Sequence, residues 1–196
     1  MQDQSQQPII LASGSPRRRE LLATLGLSFT VHTSDVDESF EPGTPPWGIV
    51  EELSLRKATA VADQTDRGLV LGSDTIVVLE NKVLGKPQDE ADAYTMLSAL
   101  AGREHTVYSG VAIVDAATGR SEVTHRSTQV RIRALCQDEI KAYIATGEPM
   151  DKAGSYAIQG IGATLVEGIV GDYFTVVGLP LGATADLFKR FGVYVL

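Results

Sequence analysis

Four short stretches of this 196-residue chain hold side chains that could handle a phosphate or a metal ion. Ser13-Gly-Ser-Pro-Arg-Arg-Arg19 lies between an apolar strand-like run and a helix-like one. That placement gathers unpaired backbone N–H groups, the positive end of a helix dipole, two hydroxyls and guanidinium forks at one point. It reads equally as a phosphate cradle or as a Ser-capped helix with a solvated basic face; the glycine spacings of a Walker loop and of a dinucleotide fingerprint are both missing. Successive arginines on a helix point about 100° apart, so Arg17 and Arg18, not Arg19, stand nearest such a pocket. Lys57 shares a helical stripe with Leu53 and Ala60, where a lysine either snorkels to solvent or meets an anion. Asp74 interrupts the apolar run Gly72-Ser-Asp-Thr-Ile-Val-Val78. An unpaired carboxylate there would be expensive, so the residue is expected at an edge or bend with a cation or metal beside it, or as a turn-former between two short strands. Lys86 precedes Pro87 and is kept extended by it, and the hairpin from Asp74 could bring the two to a common rim.

Weaker candidates surround these. The chain is glycine-dense from Gly147 to Gly182, and inside that tract Gln159 has the donor and acceptor pair needed to read a planar amide edge, although a lone glutamine also serves as a plain surface residue. The acidic loop Ser34 to Ser39, with Asp35, Asp37 and Glu38, and with Glu41 just beyond it, either holds a hard cation or is simply solvated. His32, His105 and His125 lack metal-ligand spacing, and Cys136 is expected in the core.

The elements that must position these groups follow from periodicity. Pro8 to Ala12 predicts a buried strand, Pro16 to Leu25 a helix stopped by Gly26, and Phe29 to Thr33 a strand; helices are predicted over Ile49 to Gln64, Asp89 to Ala101, Asp138 to Thr146 and Pro180 to Phe191. A long β run covers Leu69 to Leu79, with a turn at Glu80-Asn81-Lys82; a hairpin covers Thr106 to Val114 and Glu122 to Leu135. Short strands are predicted at Ala163 to Val166 and at Tyr173 to Val177. Alternating strands and helices followed by hairpins predict an α/β protein with a mixed sheet flanked by helices.

Composition narrows the partners. With 17 Lys plus Arg against 25 Asp plus Glu the net charge is −8, and with pI near 4.9 the field opposes binding to a nucleic acid while leaving a small anion open. A mean hydropathy of +0.02 with 43% hydrophobic residues fits an ordinary globular protein of one domain, or of one domain with two lobes. The single cysteine excludes an intrachain disulfide framework and suits a reducing cytoplasm. The polar start, Met1 to Gln7, does not read as a signal peptide, and no apolar run is long enough for a membrane span.

Taken in order, Leu11-Ala-Ser-Gly-Ser-Pro-Arg-Arg18, Val36-Asp-Glu38, Lys57, Gly72-Ser-Asp-Thr-Ile-Val77, Gly85-Lys-Pro87, Asp151-Lys-Ala-Gly154, Tyr156-Ala-Ile-Gln-Gly160 and Val177-Gly-Leu-Pro-Leu181 resemble the Maf family of nucleoside triphosphate pyrophosphatases, once called septum formation proteins. The match runs nearly end to end, so residues 1–196 read as a single Maf-like domain. The resemblance implies the two-lobed fold around a cleft shared with inosine triphosphate pyrophosphatases. It also implies hydrolysis of a nucleoside triphosphate to its monophosphate and pyrophosphate with Mg²⁺ or Mn²⁺, in a cytoplasmic homodimer. Residue by residue, it makes Asp74 catalytic and a metal ligand beside Glu38, and gives Ser13, Arg18, Lys57 and Lys86 to the substrate. Arg17, Thr75 and Gln159 match the branch acting on dTTP and UTP. A housecleaning role and a link to cell-division arrest come with the family, as does a rival reading: a nucleotide-binding division regulator with vestigial hydrolysis.

Overall fold

The computed structural model describes residues 7–33 and 35–196; the remainder of the polar start and Ser34 of the acidic loop lie outside the described residues. The elements run β1 (Ile9–Leu11), α1 (Pro16–Thr24), β2 (Phe29–Val31), α2 (Pro46–Ala62), β3 (Leu69–Leu79), β4 (Lys82–Leu84), α3 (Glu90–Leu100), β5 (Glu104–Asp115), β6 (Ser121–Ile132), α4 (Gln137–Ala145), β7 (Val166–Val170), α5 (Tyr173–Val177) and α6 (Leu181–Arg190). Between α4 and β7 the chain makes three 3₁₀ turns, Glu148–Asp151, Ala153–Ser155 and Gly160–Leu165. The strands form a mixed seven-stranded sheet in the order β2-β1-β3-β5-β6-β7, with β4 paired to β3.

The chain divides into two compact units. The first comprises residues 1–74, 109–126 and 178–196; the second comprises 75–108 and 127–177. In the first, β1 pairs in parallel with β2 on one side (Ile9 opposite Phe29) and with β3 on the other (Ile9 opposite Leu69). Parallel neighbours need crossovers, which α1 and α2 supply. α1 starts as its sequence demands: Ser15 caps the amide of Arg18, Pro16 occupies the first turn, and Leu21 and Leu22 are buried. α2 begins three residues earlier than periodicity suggests, because Pro46 is tolerated in a first turn. Its backbone lies directly on the sheet. A Cβ on Gly72 of β3 would sit 2.2 Å from the Ser54 carbonyl oxygen, and one on Gly110 of β5 would sit 2.2 Å from that of Val50, so only glycine allows this approach.

In the second unit, β3 turns back into β4 through Glu80 and Asn81, both at positive φ, the two-residue turn whose twist suits a hairpin. Asp89 caps α3 by accepting from the Asp92 amide at 2.8 Å. Val77, Leu97, Leu100, Val130, Ile132 and Ile140 make the core. Three expectations fail here. The strand expected at Ala163 to Val166 starts only at Val166, the residues before it lying in the last 3₁₀ turn. Tyr173–Val177 is helix, not strand: Asp172 accepts hydrogen bonds from the amides of Phe174 and Thr175, and this cap outweighs the β-propensity of the aromatic and branched residues. Cys136 is exposed, not core; it opens α4, where its amide donates to Glu139 at 2.8 Å.

His105 is buried in the second unit, its Nε2 2.7 Å from the Tyr156 hydroxyl, while its Nδ1 meets no hydrogen-bond partner among the described residues. Burial lowers its pKa from 6.5 to about 4, because a proton on the ring would be a charge without a counter-ion. The unfolded chain takes that proton near pH 6.5, so the contribution is complete above that pH and is lost as the pH falls toward 4, by about 3 kcal/mol. Urea unfolding between pH 7 and 4.5 should show this loss, and His105→Gln should flatten the pH dependence; equal slopes in both proteins would remove His105 as its cause.

Candidate active site

Within the first unit the chain order β1, β2, β3 places β1 between the other two, so consecutive connections leave in opposite directions. In parallel sheets a ligand binds beyond the carboxyl ends of the strands at such a reversal. Three of the sequence candidates sit there in the chain: Ser13 follows β1, Glu38 is in the connection after β2, and Asp74 lies beyond the stretch of β3 that pairs with β1.

Asp74 has a cation beside it, as expected, but it does not sit in a turn between two short strands. It is buried, 8% exposed, inside the continuous strand β3, between Leu69–Leu71, which face β1, and Val77–Leu79, which face β4. The cation that makes this affordable is Lys57. Its Nζ lies 2.6 Å from Asp74 Oδ1 and 2.7 Å from Glu38 Oε1, so one ammonium joins the two carboxylates that the resemblance assigns to metal. Lys57 does not snorkel; its side chain is 13% exposed. It reaches Asp74 because α2 rests on Gly72, two residues before the aspartate.

Arg18 completes this half of the site. Its Nε donates to the Gly178 carbonyl at 2.9 Å and its guanidinium reaches Ser13 Oγ at 3.4 Å. Burial lowers its pKa while the negative charge of Asp74 raises it; a guanidinium stays charged throughout. The same Gly178 carbonyl accepts from Ser73 Oγ at 3.0 Å, and that hydroxyl also lies 2.8 Å from the Gly110 carbonyl. Ser73 is a residue that sequence reasoning missed: it ties the strand carrying Asp74 to the carbonyl that aims Arg18. Arg17 is half-buried next to it in α1.

Thr75, Lys86 and Gln159 belong to the second unit. Thr75 is half-buried in β3, directly after Asp74, and Lys86 is exposed between β4 and α3. The loop bearing Lys86 is fixed by its neighbour, since the Gly85 carbonyl accepts from the Gly154 amide at 3.0 Å. Gly154 has φ +70° and packs on Val77, where a Cβ would come within 3.0 Å. Gln159 is half-buried and precedes the last 3₁₀ turn.

The fold is that of an α/β protein with a mixed sheet, carrying an ammonium-bridged pair of carboxylates beside a capped basic helix. A family model described as Maf-like protein matches residues 8–191, and the chain belongs to that family. The dTTP/UTP pyrophosphatase of Moorella thermoacetica is 58% identical over 187 residues, covering 95% of this chain and 96% of its own. That of Desulforamulus reducens is 52% identical over 189 residues, covering 96% and 99%. Among solved structures, the Ham1 protein of Staphylococcus aureus aligns with a TM-score of 0.48 at 16% identity, over 64% of this chain and 71% of its own.

Proposed function

We propose that the chain hydrolyses dTTP and UTP to the nucleoside monophosphate and pyrophosphate. The observation that carries this reading is Lys57 held between Asp74 and Glu38 at the carboxyl ends of the parallel strands, next to Arg18. In this reading Arg18, Ser13, Lys57 and Lys86 bind the phosphate chain, the guanidinium doing so through its planar fork and the ammonium groups as point charges. Asp74 takes the proton of the attacking water at the carboxylate oxygen that Lys57 does not hold. Gln159 offers a donor and an acceptor to the O4 and N3–H edge of a pyrimidine, with Arg17 and Thr75 shaping the rest of that pocket.

Glu38 and Asp74 also fit a hard divalent cation. Among the described residues no group of three His, Cys, Asp or Glu side chains converges as a metal site, but two carboxylates together with substrate oxygens and water are the donors that Mg²⁺ and Mn²⁺ take in nucleotide enzymes. The chemistry such an ion supplies is neutralisation of phosphate charge and polarisation at phosphorus. The net charge of −8 argues against nucleic acid as a partner, and the single exposed thiol suits a reducing cytoplasm. No described helix is long and apolar enough to cross a membrane. The Maf resemblance supports a homodimer.

The test is pyrophosphate release by the purified protein with Mg²⁺ or Mn²⁺ across canonical triphosphates. dTTP and UTP should give one pyrophosphate per monophosphate. Nucleotide binding without turnover would favour the division-regulator reading, and orthophosphate as the product would exclude the proposed cleavage.

A further inference from the structure

Glu148 takes no part in the hydrolysis just described, yet its carboxylate accepts three hydrogen bonds within the second unit. Its Oε1 accepts from the Tyr143 hydroxyl at 2.9 Å and from the Gly162 amide at 2.8 Å, and its Oε2 accepts from the Ile161 amide at 3.0 Å. The Tyr143 hydroxyl in turn accepts from the Ala157 amide at 3.1 Å. Behind the carboxylate, Lys152 Nζ donates to the Glu148 carbonyl at 2.6 Å. Burial pushes the carboxyl pKa up, but the hydrogen bonds from Gly162, Tyr143 and Ile161 outweigh it and hold the value below the ordinary range, so the group is ionised.

The segment 157–162 is thus wrapped around one side chain, with Gln159 midway between the amide held through Tyr143 and the two held directly. The close fit leaves no room for bulk. A Cβ on Gly160, at φ +66°, would lie 2.5 Å from Glu148 Oε2, and one on Gly162 would lie 2.5 Å from the Tyr143 hydroxyl. We propose that Glu148 is a positioning residue for substrate discrimination: by binding the Ile161 and Gly162 amides and the Tyr143 hydroxyl, its carboxylate fixes the backbone on which Gln159 is presented to the pyrimidine edge. This rests on the reading of Gln159 given above. A carboxylate is required because both of its oxygens accept; the amide of a glutamine, in either orientation, turns an N–H₂ toward at least one of the three donors.

The experiment is a double-mutant cycle in the full chain, scored by the dTTP-over-dGTP ratio of kcat/KM and by hydrogen exchange at the Ile161 and Gly162 amides. Glu148→Gln should speed exchange at both amides and lower the ratio roughly tenfold, the worth of about one hydrogen bond. In a Gln159→Ala background, Glu148→Gln should leave the ratio unchanged, because its effect runs through Gln159. A lowered melting temperature with the ratio intact would overturn the proposal and leave the role of Gln159 standing. An unchanged ratio in Gln159→Ala itself would overturn both. Should Glu148→Gln fail to fold, Tyr143→Phe, which keeps the carboxylate and removes the link to Ala157, is read in the same cycle with the same two outcomes.

Discussion

Asp74→Asn should lower kcat by about 10³-fold or more while leaving the fold in place, the size expected when a positioned general base is removed. Asparagine matches aspartate in shape and keeps an acceptor toward Lys57, and the ammonium retains Glu38 at 2.7 Å, so no buried charge is left unpaired. The stability cost should therefore be small, within about 2 kcal/mol. Turnover of dTTP under saturating nucleotide, with urea unfolding in parallel, separates the two effects. Retained turnover would take Asp74 out of the mechanism; lost turnover with a collapsed fold would make its role structural.

Gly72→Ala should have the largest effect on stability. The new Cβ would meet the Ser54 carbonyl oxygen at 2.2 Å and the Ala58 amide at 2.8 Å, both rigid backbone of α2, so the helix must move away from the sheet. Overpacking of this kind costs about 3 kcal/mol or more. The same displacement carries Lys57 away from Asp74, and a misplacement of about 1 Å is worth roughly 100-fold in rate. Gly182→Ala is the control: in α6 a Cβ there meets nothing within 4 Å, and the lost backbone freedom of the unfolded chain should stabilise by about 0.5–1 kcal/mol. Equal stability of the two variants would show that the approach of α2 to β3 is not limited by Gly72.

Local signals carried much of this structure. Ser15-Pro16 before Leu21 and Leu22 defines α1, Asp89 defines the start of α3, and Glu80-Asn81 defines the β3–β4 turn, because in each case the chemistry of a cap or turn is written in adjacent residues. Tyr173–Val177 misled because branched and aromatic side chains favour strands; the overriding signal was the single Asp172 ahead of them. Cys136 misled because a thiol suits a core, whereas Glu139 three residues on marks a helix start. Lys57 beside Asp74 could be suspected from either residue, but their pairing depends on Gly72 and Gly110, whose use in bringing α2 onto the sheet is visible only when the partner backbones are known. Ser73 and Glu148 left no periodic trace at all, since each works through backbone groups distant in sequence.

The discontinuity of the two units sets an order on synthesis. The second unit has all its residues once Val177 has been made, whereas the first waits for 178–196, which bring α6 with Leu187 and Phe188 fully buried. On a ribosome the part begun first is finished last. The Gly178 carbonyl that aims Arg18 arrives with this final segment, more than 150 residues after the arginine itself. A nascent or truncated chain lacking it has Asp74, Glu38 and Lys57 but not the carbonyl that accepts from Arg18 Nε.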